Sequence, residues 1–520
     1  MLKRDISTVN VLIAAAGGMI GSGWLFTPFI SAQIAGPKAL LSWILAALFM
    51  IFIALPLCEL GAMLPLSGGI ANYPTFTHGR ILGFLFSWIT WLSYVVMTPI
   101  EIQAILQYSS HFFPQLLVKE STYFKLSGLG YFVAILIMFF VVLLNSYGIK
   151  FLAQCNKYTS ILKFILPAIA IFALLKTAPS LQNLQPSHLD PSWTSIFTAL
   201  STGGIAFAFT GFQNGLMLAG EVQNPQRNIP IAILGAIFIG FILYFLLQLS
   251  LLVAIPAPFL QKGWTLLSFP GDSGPLVGLT LLLGLNVIAF LLLFDAAFSP
   301  FGTTLVYTAA TSRILYGMAT NHYLPSYFLK LNRHKIPYVT LYANFIMGCF
   351  VFLPFPGWQK MVAFLSSASV LSYGIGPICL LALRKIHPEK ARPFYLKQAT
   401  FFCYFAFYVC NLMLYWCTFA VLWKLFVAIL IGIGLSYFFQ SKEQAANKLS
   451  LYWFFIYLST LVFFSYLNTL PGSLFRFPFD LILLFLFSCL ILYTSQRCLV
   501  AEEARAAANA SLNRQLRENS

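Results

Sequence analysis

The sequence predicts an all-α integral membrane protein of about fourteen transmembrane helices, with twelve as the alternative. Two of those helices are expected to break at mid-membrane. Three observations predict this. The 520-residue chain is 59% hydrophobic and 8% charged, with mean hydropathy +0.84, whereas soluble domains carry roughly 25% charged residues. Apolar runs of about 20 residues, enough to cross ~30 Å of hydrocarbon, recur along the whole chain. The first of them is interrupted at its middle by Gly17-Gly-Met-Ile-Gly-Ser-Gly23, with apolar sequence on both sides.

A soluble helix gains nothing from four glycines at its centre. In lipid, a backbone break has to be buried in protein or line a cavity, because no water is present to satisfy its polar groups. An unwound segment there offers free N–H groups on one half-helix and free C=O groups on the other. That combination suits a membrane transporter that grips a small polar solute with its backbone.

Spans are expected near 9–32, 39–63, 81–113, 129–147, 156–176, 195–219, 229–256, 278–311, 338–356, 361–383, 400–420, 422–440, 450–469 and 478–497, by apolar length and loop signals. The sixth carries a second glycine-marked interruption, Gly203-Gly204 followed by Phe207-Ala-Phe-Thr-Gly-Phe212. Two broken helices five spans apart suggest two inverted repeats of five helices, although small residues also serve close helix packing. The repeats fall near 9–176 and 195–383, within a core of residues 1–390. Additional C-terminal transmembrane helices occupy 391–497, and 498–520 reads as a polar cytoplasmic tail.

The net charge of +16 is spread over short loops. Lys150 to Lys157, Arg313 to Lys335, Arg384 to Lys397 and the tail from Arg497 are basic, while the opposite loops hold single lysines such as Lys38, Lys262 and Lys360. The positive-inside rule explains this better than nucleic-acid binding does, and it puts both termini in the cytoplasm. The first run lacks a small-residue cleavage site, so no cleavable signal peptide is expected. Nine scattered cysteines show no CxxC spacing, and they read as small buried hydrophobes rather than metal ligands or disulfides. No HExxH pair, GxSxG elbow or P-loop occurs, so the chain does not read as an enzyme, no cofactor is expected, and an ion gradient rather than ATP would have to drive it.

Ionisable groups inside the bilayer are expensive and therefore functional candidates. Glu59, Glu101, Lys163 and Asp295 fall inside spans. Lys163 either exchanges a proton as a site opens and closes or snorkels its stem to the cytoplasmic headgroups. Glu101, beside Pro99, would titrate, pair with Lys163, bind a substrate ammonium, or hold two helices together. Asp295 is followed by Ser299, Thr303, Thr304 and Thr308, hydroxyls that line a path or bond their own backbone. Glu59, near the cytoplasmic end of its span, reads as a structural pairing.

Three segments together carry a family resemblance: Gly17-Gly-Met-Ile-Gly-Ser-Gly-Trp-Leu-Phe26, Gly211-Phe-Gln-Asn-Gly through Gly220-Glu-Val-Gln-Asn-Pro-Gln-Arg-Asn-Ile-Pro230, and Ser312-Arg-Ile-Leu-Tyr-Gly-Met-Ala319 with Leu324-Pro325. They resemble the amino acid/polyamine/organocation (APC) transporters. Gly68-Gly69 with Tyr73-Pro74, His78-Gly79, and Glu101 with Gln107-Tyr108 look most like the aspartate–proton symporter branch. The resemblance implies a LeuT-like fold of 5+5 inverted repeats with discontinuous helices 1 and 6. By position, the amides of Ser22 and Gly23, beside Gly21, would hold the α-carboxylate, since a helix N-terminus favours an anion. Carbonyls near Ile20, Phe207 and Ala208 would accept the α-ammonium, with Phe209 and Gly211 in the same break. Phe207 and Tyr307 fall at gating positions, Glu101 faces the site, and Lys163 stands where sodium-coupled relatives hold their ion. Gln213 replaces a glutamate that couples protons in some exchangers, and an amide cannot release one. Lys163 and Glu101 are left as the proton carriers.

These readings converge on a secondary active amino acid permease, a proton symporter for an amino acid such as aspartate or glutamate, in a bacterial inner membrane. Its partners are the amino acid, protons and the lipid bilayer. The alternative is an amino acid or polyamine exchanger without proton symport. A multispan enzyme acting on lipid-linked sugars would need reactive groups on large outer loops, and these outer loops are short and nearly devoid of them.

Overall fold

The structure is a computed structural model. It describes residues 6–65, 69–120, 124–147, 149–177, 180–185, 190–269, 274–439, 448–470 and 477–499, with backbone alone for 149–161, 437–439 and 448–450. The expected cytoplasmic tail from 500 onward and the Gly68 motif position lie outside the described residues.

Two short helices, α1 (Thr8–Met19) and α2 (Gly23–Ala35), form the first passage, and α3 (Ala39–Met63) is the second. Ser7 starts α1 by accepting the Asn10 N–H at 3.4 Å, satisfying one of the donors a helix start leaves open. The short α4 (Tyr73–His78) precedes α5 (Arg80–Val95) and α6 (Met97–Ser109), which together make the third passage. A small antiparallel hairpin, β1 (Leu117–Lys119) and β2 (Phe124–Leu126), leads into α7 (Gly128–Ser146) and then α8 (Ile149–Thr177). The sixth passage is three pieces: α9 (Ser195–Ser201), α10 (Ile205–Ala208) and α11 (Asn214–Met217). Then come α12 (Pro225–Ala254), α13 (Pro275–Leu282), α14 (Asn286–Thr320), α15 (Tyr338–Val351), α16 (Trp358–Tyr373) and α17 (Ile375–Ile386). The C-terminal helices are α18 (Ala399–Tyr415), α19 (Phe419–Phe439), α20 (Lys448–Thr469) and α21 (Phe479–Ser495).

Among the described residues, eight helical stretches are long and apolar enough to cross a membrane. Shorter apolar helices, including α1, α15, α18 and α21, accompany them. Large apolar side chains such as Phe132, Leu136, Phe139 and Phe140 on α7 are exposed. Hydrocarbon rather than water is the solvent that suits them. Lipid tails are as apolar as leucine, so helix association relies on close packing and buried hydrogen bonds. Accordingly α12 packs on α3, α1 and α8, while α14 packs on α6 and α8. Small residues sit at these crossings, with the Gly61 Cα against Leu216 and Ile229 and Gly240 against Met19. The C-terminal helices lie outside this core, α18 on α3 and α17, and α19 on α16 and α5.

Two expectations change. The passage expected at 278–311 is split by a turn in which Gly284 has φ +72°, and α14 then runs on to Thr320. The basic stretch from Lys150 belongs to a helix that starts at Ile149, so it is not a loop and Lys163 sits deeper than its position in 156–176 suggested. In both places helical hydrogen bonding continues past the point where apolar character fades, which hydropathy alone does not detect. Gly17 and Gly18 precede the first break, which starts at Ile20 as their placement suggested. They remain helical, and α1 ends at Met19.

Candidate functional site

The chain leaves helical geometry at Ile20, with φ −95° and ψ 90°, and re-enters at Gly23. The last carbonyls of α1 point into protein and would be orphaned there. Three side chains from three helices cap them. Lys163 Nζ on α8 donates to the Gly17 carbonyl at 3.2 Å, Tyr307 on α14 donates to Gly18 at 3.3 Å, and Tyr244 on α12 donates to Met19 at 2.8 Å. Lys163 also donates to Thr303 Oγ1 at 2.7 Å. Its side chain is 2% exposed, which excludes the snorkelling alternative.

On the other side of the break, the Ser22 N–H donates to Glu101 Oε2 at 2.8 Å. This places a carboxylate at the N-terminus of α2, where backbone donors and the helix dipole favour negative charge. The second carboxyl oxygen, Oε1, has no hydrogen-bond partner although it is buried. A Cβ at Gly21 would run into the Glu101 carboxyl group, whose Cδ would be 3.1 Å away. Ser22 Oγ accepts the indole N–H of Trp358 at 2.8 Å. Phe207 covers Gly23, where a Cβ would stand 3.1 Å from the ring edge. The Trp358 ring meets Phe207 edge-on at 5.7 Å.

The sixth passage breaks twice. The first interruption contains Gly203 and Gly204, and Gly204 has φ +94°, a conformation that favours glycine. The second runs from Phe209 to Gln213, with Gly211 at φ +127°. Gly211 lies directly against the backbone of Gly18 and Met19, so the two breaks cross in backbone contact. Gln213 Oε1 fixes the crossing by accepting the Gly211 N–H at 2.7 Å and the Tyr373 hydroxyl at 2.9 Å. Asn214 accepts the Tyr94 hydroxyl at 2.9 Å, and Tyr94 packs 5.4 Å from Tyr307. The Phe207 carbonyl already accepts the N–H and hydroxyl of Thr210, at 2.8 and 2.6 Å. Phe209 turns away to pack on Trp43 at 5.9 Å.

The expected residues are therefore largely gathered around one buried point. Ile20, Gly21, Ser22, Gly23, Glu101, Lys163, Phe207, Ala208, Gly211 and Tyr307 all line or adjoin the crossing, while Phe209 belongs to its outer packing. The arrangement is closed, with Glu101 over Gly21 and Phe207 over Gly23 filling the approach. A separate crevice, lined by Val95, Thr98, Met138, Thr308 and Asn344, lies further along α14. Trp358, Tyr244 and Asn214 were not expected from the sequence. Nothing in their spacing marks them, since each acts through a partner more than a hundred residues away.

The profile of the amino acid permease family matches residues 6–464. The chain belongs to the amino acid permease family. Two proteins of Bacillus subtilis (strain 168) are similar over nearly the whole length. The glutamate/serine transporter AimA is 34% identical over 481 residues, 90% of this chain and 88% of that protein. The aspartate-proton symporter is 35% identical over 502 residues, 94% of this chain and 96% of that protein. More distantly, the branched-chain amino acid permease BcaP of the same organism is 23% identical over 467 residues, 86% of this chain and 95% of that protein. This permease is accordingly a multi-pass membrane protein that transports amino acids, and not an enzyme.

Proposed function

We propose that this permease takes up an acidic amino acid, aspartate or glutamate, together with protons across a bacterial cytoplasmic membrane, with both termini inside. Residues 1–390 form the transporting core of two inverted repeats, and residues 391–497 flank it. The names of the two similar Bacillus proteins support the substrate class, and one of them supports the proton. The observation that carries the coupling is the Glu101 carboxylate on the Ser22 amide.

The N-terminus of α2 is the natural seat for a substrate α-carboxylate. In the closed permease Glu101 holds it. Two carboxylates cannot share one anion seat without a large electrostatic cost. Protonating Glu101 removes that conflict and weakens its hold on Ser22, so the substrate carboxylate takes the amides of Ser22 and Gly23. The Ile20 carbonyl, in the break of the first passage, receives the α-ammonium, with Phe207 and Ala208 of α10 packed against Gly23 beside it. Lys163 bridges the end of α1 to α14. Losing its proton would remove a charge-assisted bond to Gly17 and free the two elements to move apart. Tyr307 and Phe207 close over the substrate. Rocking of one repeat against the other then exposes the site to the opposite side.

The test is uptake of labelled aspartate and glutamate into proteoliposomes with an imposed inside-alkaline pH gradient. The expected result is accumulation above equilibrium that a protonophore abolishes. Counterflow alone, with no response to the gradient, would replace symport with exchange.

A further inference from the structure

The site above uses Glu101 and Lys163, but a third ionisable group is buried beside them. Asp295 lies in α14 and is fully buried, and neither of its carboxyl oxygens has a hydrogen-bond partner. Eight residues further along the same helix, Thr303 accepts the Lys163 ammonium at 2.7 Å. Between them Ser299 is also fully buried, and its hydroxyl has no partner. Spacing of four residues puts Asp295, Ser299 and Thr303 on one face of the helix.

The groups that face Asp295 are few. Lys163 on α8 and Tyr108 on α6 are its titratable neighbours, and the indole of Trp24, at the start of α2, is its nearest polar group besides. The Trp24 N–H is itself without a hydrogen-bond partner, and the Tyr108 hydroxyl is committed to the Leu25 carbonyl at 3.1 Å. Glu101 on α6 is the second acidic neighbour of Lys163. The neighbouring α7, α13 and α15 carry no charged side chain. Arg80 on α5 lies at the opposite end of α14, where it donates to the His322 carbonyl at 2.5 Å.

Charge counting decides the state of this cluster. One ammonium stands between two buried carboxyl groups. Burying an uncompensated charge costs several kcal/mol, so one carboxyl must carry a proton. Glu101 receives a backbone N–H at a helix start, whereas the donor that faces Asp295 is the Trp24 indole, which makes no bond of good geometry with it. Asp295 is therefore the neutral acid of the closed permease.

We propose that Asp295 is a further proton-carrying residue of the transport cycle, exchanging its proton with Lys163 along the Ser299–Thr303 face of α14. This rests on the proton-symport reading. In the closed permease the Thr303 hydroxyl donates to the Ser299 carbonyl at 3.1 Å and the Ser299 hydroxyl is unbonded, so the transfer requires both hydroxyls to turn as the helices shift. The Asp295 carboxylic acid then gives its proton to the Ser299 hydroxyl, which passes its own to Thr303, and Thr303 passes its own to the neutral Lys163 amine. The products are an Asp295 carboxylate and a Lys163 ammonium, and Asp295 regains a proton from the aqueous side when the site opens.

The test uses the full-length permease in proteoliposomes, with Asp295→Asn, Asp295→Glu and Ser299→Ala. Each is measured for pH-driven accumulation of aspartate and for counterflow at equal pH. Asp295→Asn is expected to lower accumulation at least tenfold while counterflow stays within twofold of wild type, and Asp295→Glu restores accumulation. Ser299→Ala leaves every charge in place and slows pH-driven uptake at least threefold with counterflow unchanged. If Asp295→Asn does not fold, judged by size-exclusion chromatography, the Ser299→Ala result decides. Wild-type accumulation and an unaltered external-pH profile in the folded variants would overturn the role of Asp295. Absence of pH-driven accumulation in the wild type would instead overturn the symport reading.

Discussion

Two buried carboxylates in this permease meet opposite fates. Glu59, near the C-terminal end of α3, has both oxygens occupied. Arg384 grips it with two nitrogens at 2.9 and 2.6 Å, the Leu396 N–H adds a bond at 2.8 Å, and Arg392 stands 3.5 Å away. Glu101, at the crossing of the broken passages, has one oxygen on Ser22 and the other without a partner. Both side chains are fully buried. The first is a clamp that ties α3 to α17 and the segment after it, with nowhere for a proton to be useful. The second is held loosely, next to a movable cation. On the proposed coupling, burial alone does not mark a coupling residue in this chain, whereas incomplete satisfaction at a backbone break does.

Substitutions can break or sharpen this contrast. The largest effect is expected from Lys163→Ala, which removes the cation that caps α1. It should abolish pH-driven accumulation while equilibrium binding of aspartate to the purified permease persists, as read by isothermal calorimetry. Glu59→Ala should leave the affinity for substrate unchanged and lower stability by about 3 kcal/mol, read as loss of thermal stability in detergent. That is the low end for breaking a buried pair, because the Arg384 side chain is 21% exposed and can hydrate. Gly23→Val should raise KM at least about tenfold, ~1.4 kcal/mol, because the new side chain meets Phe207 and crowds the carboxylate seat. An unchanged KM would remove the α2 N-terminus from the site.

The smallest effect concerns His78 in the short helix α4. It bonds Thr77 Oγ1 at 2.8 Å and the Ser495 carbonyl at 3.2 Å, joining the first repeat to α21. Burial, opposed in part by the Ser495 bond, lowers its pKa from 6.5 to about 4. Below pH 6.5 the unfolded chain takes the proton first, so stability falls as pH drops toward 4 and is level above 6.5. The span of the two values corresponds to about 3 kcal/mol over that window, of which only the fraction above the working pH is felt. His78→Gln should flatten thermal stability between pH 6.5 and 4.5 and leave transport at neutral pH unaltered.

Much of this architecture is legible in the sequence because membranes penalise charge and open backbone so heavily. Gly21-Ser-Gly23, Glu101, Lys163 and Asp295 stand out against apolar runs for that reason alone. The pairing of Glu59 also follows from its place near a basic cytoplasmic segment. The aromatic and hydroxyl partners are different. With 53 Phe, 24 Tyr and 10 Trp in the chain, nothing singles out Trp358 or Tyr244 as partners of the first break except the tertiary contact itself. The turn at Gly284 escaped notice because it interrupts a run whose hydropathy does not change. The occupancy of the Ser22 amide by Glu101 was equally invisible. Sequence spacing brings both to the site but does not say that one sits on the other.

The central claim is that Glu101 vacates the start of α2 only when it is protonated. Glu101→Gln mimics the protonated form permanently, and the most direct measurement compares two assays of that variant in the same proteoliposomes. Counterflow of aspartate at equal pH should survive within about threefold, while accumulation driven by an inside-alkaline gradient should vanish. Full gradient-driven accumulation in the variant would contradict the account.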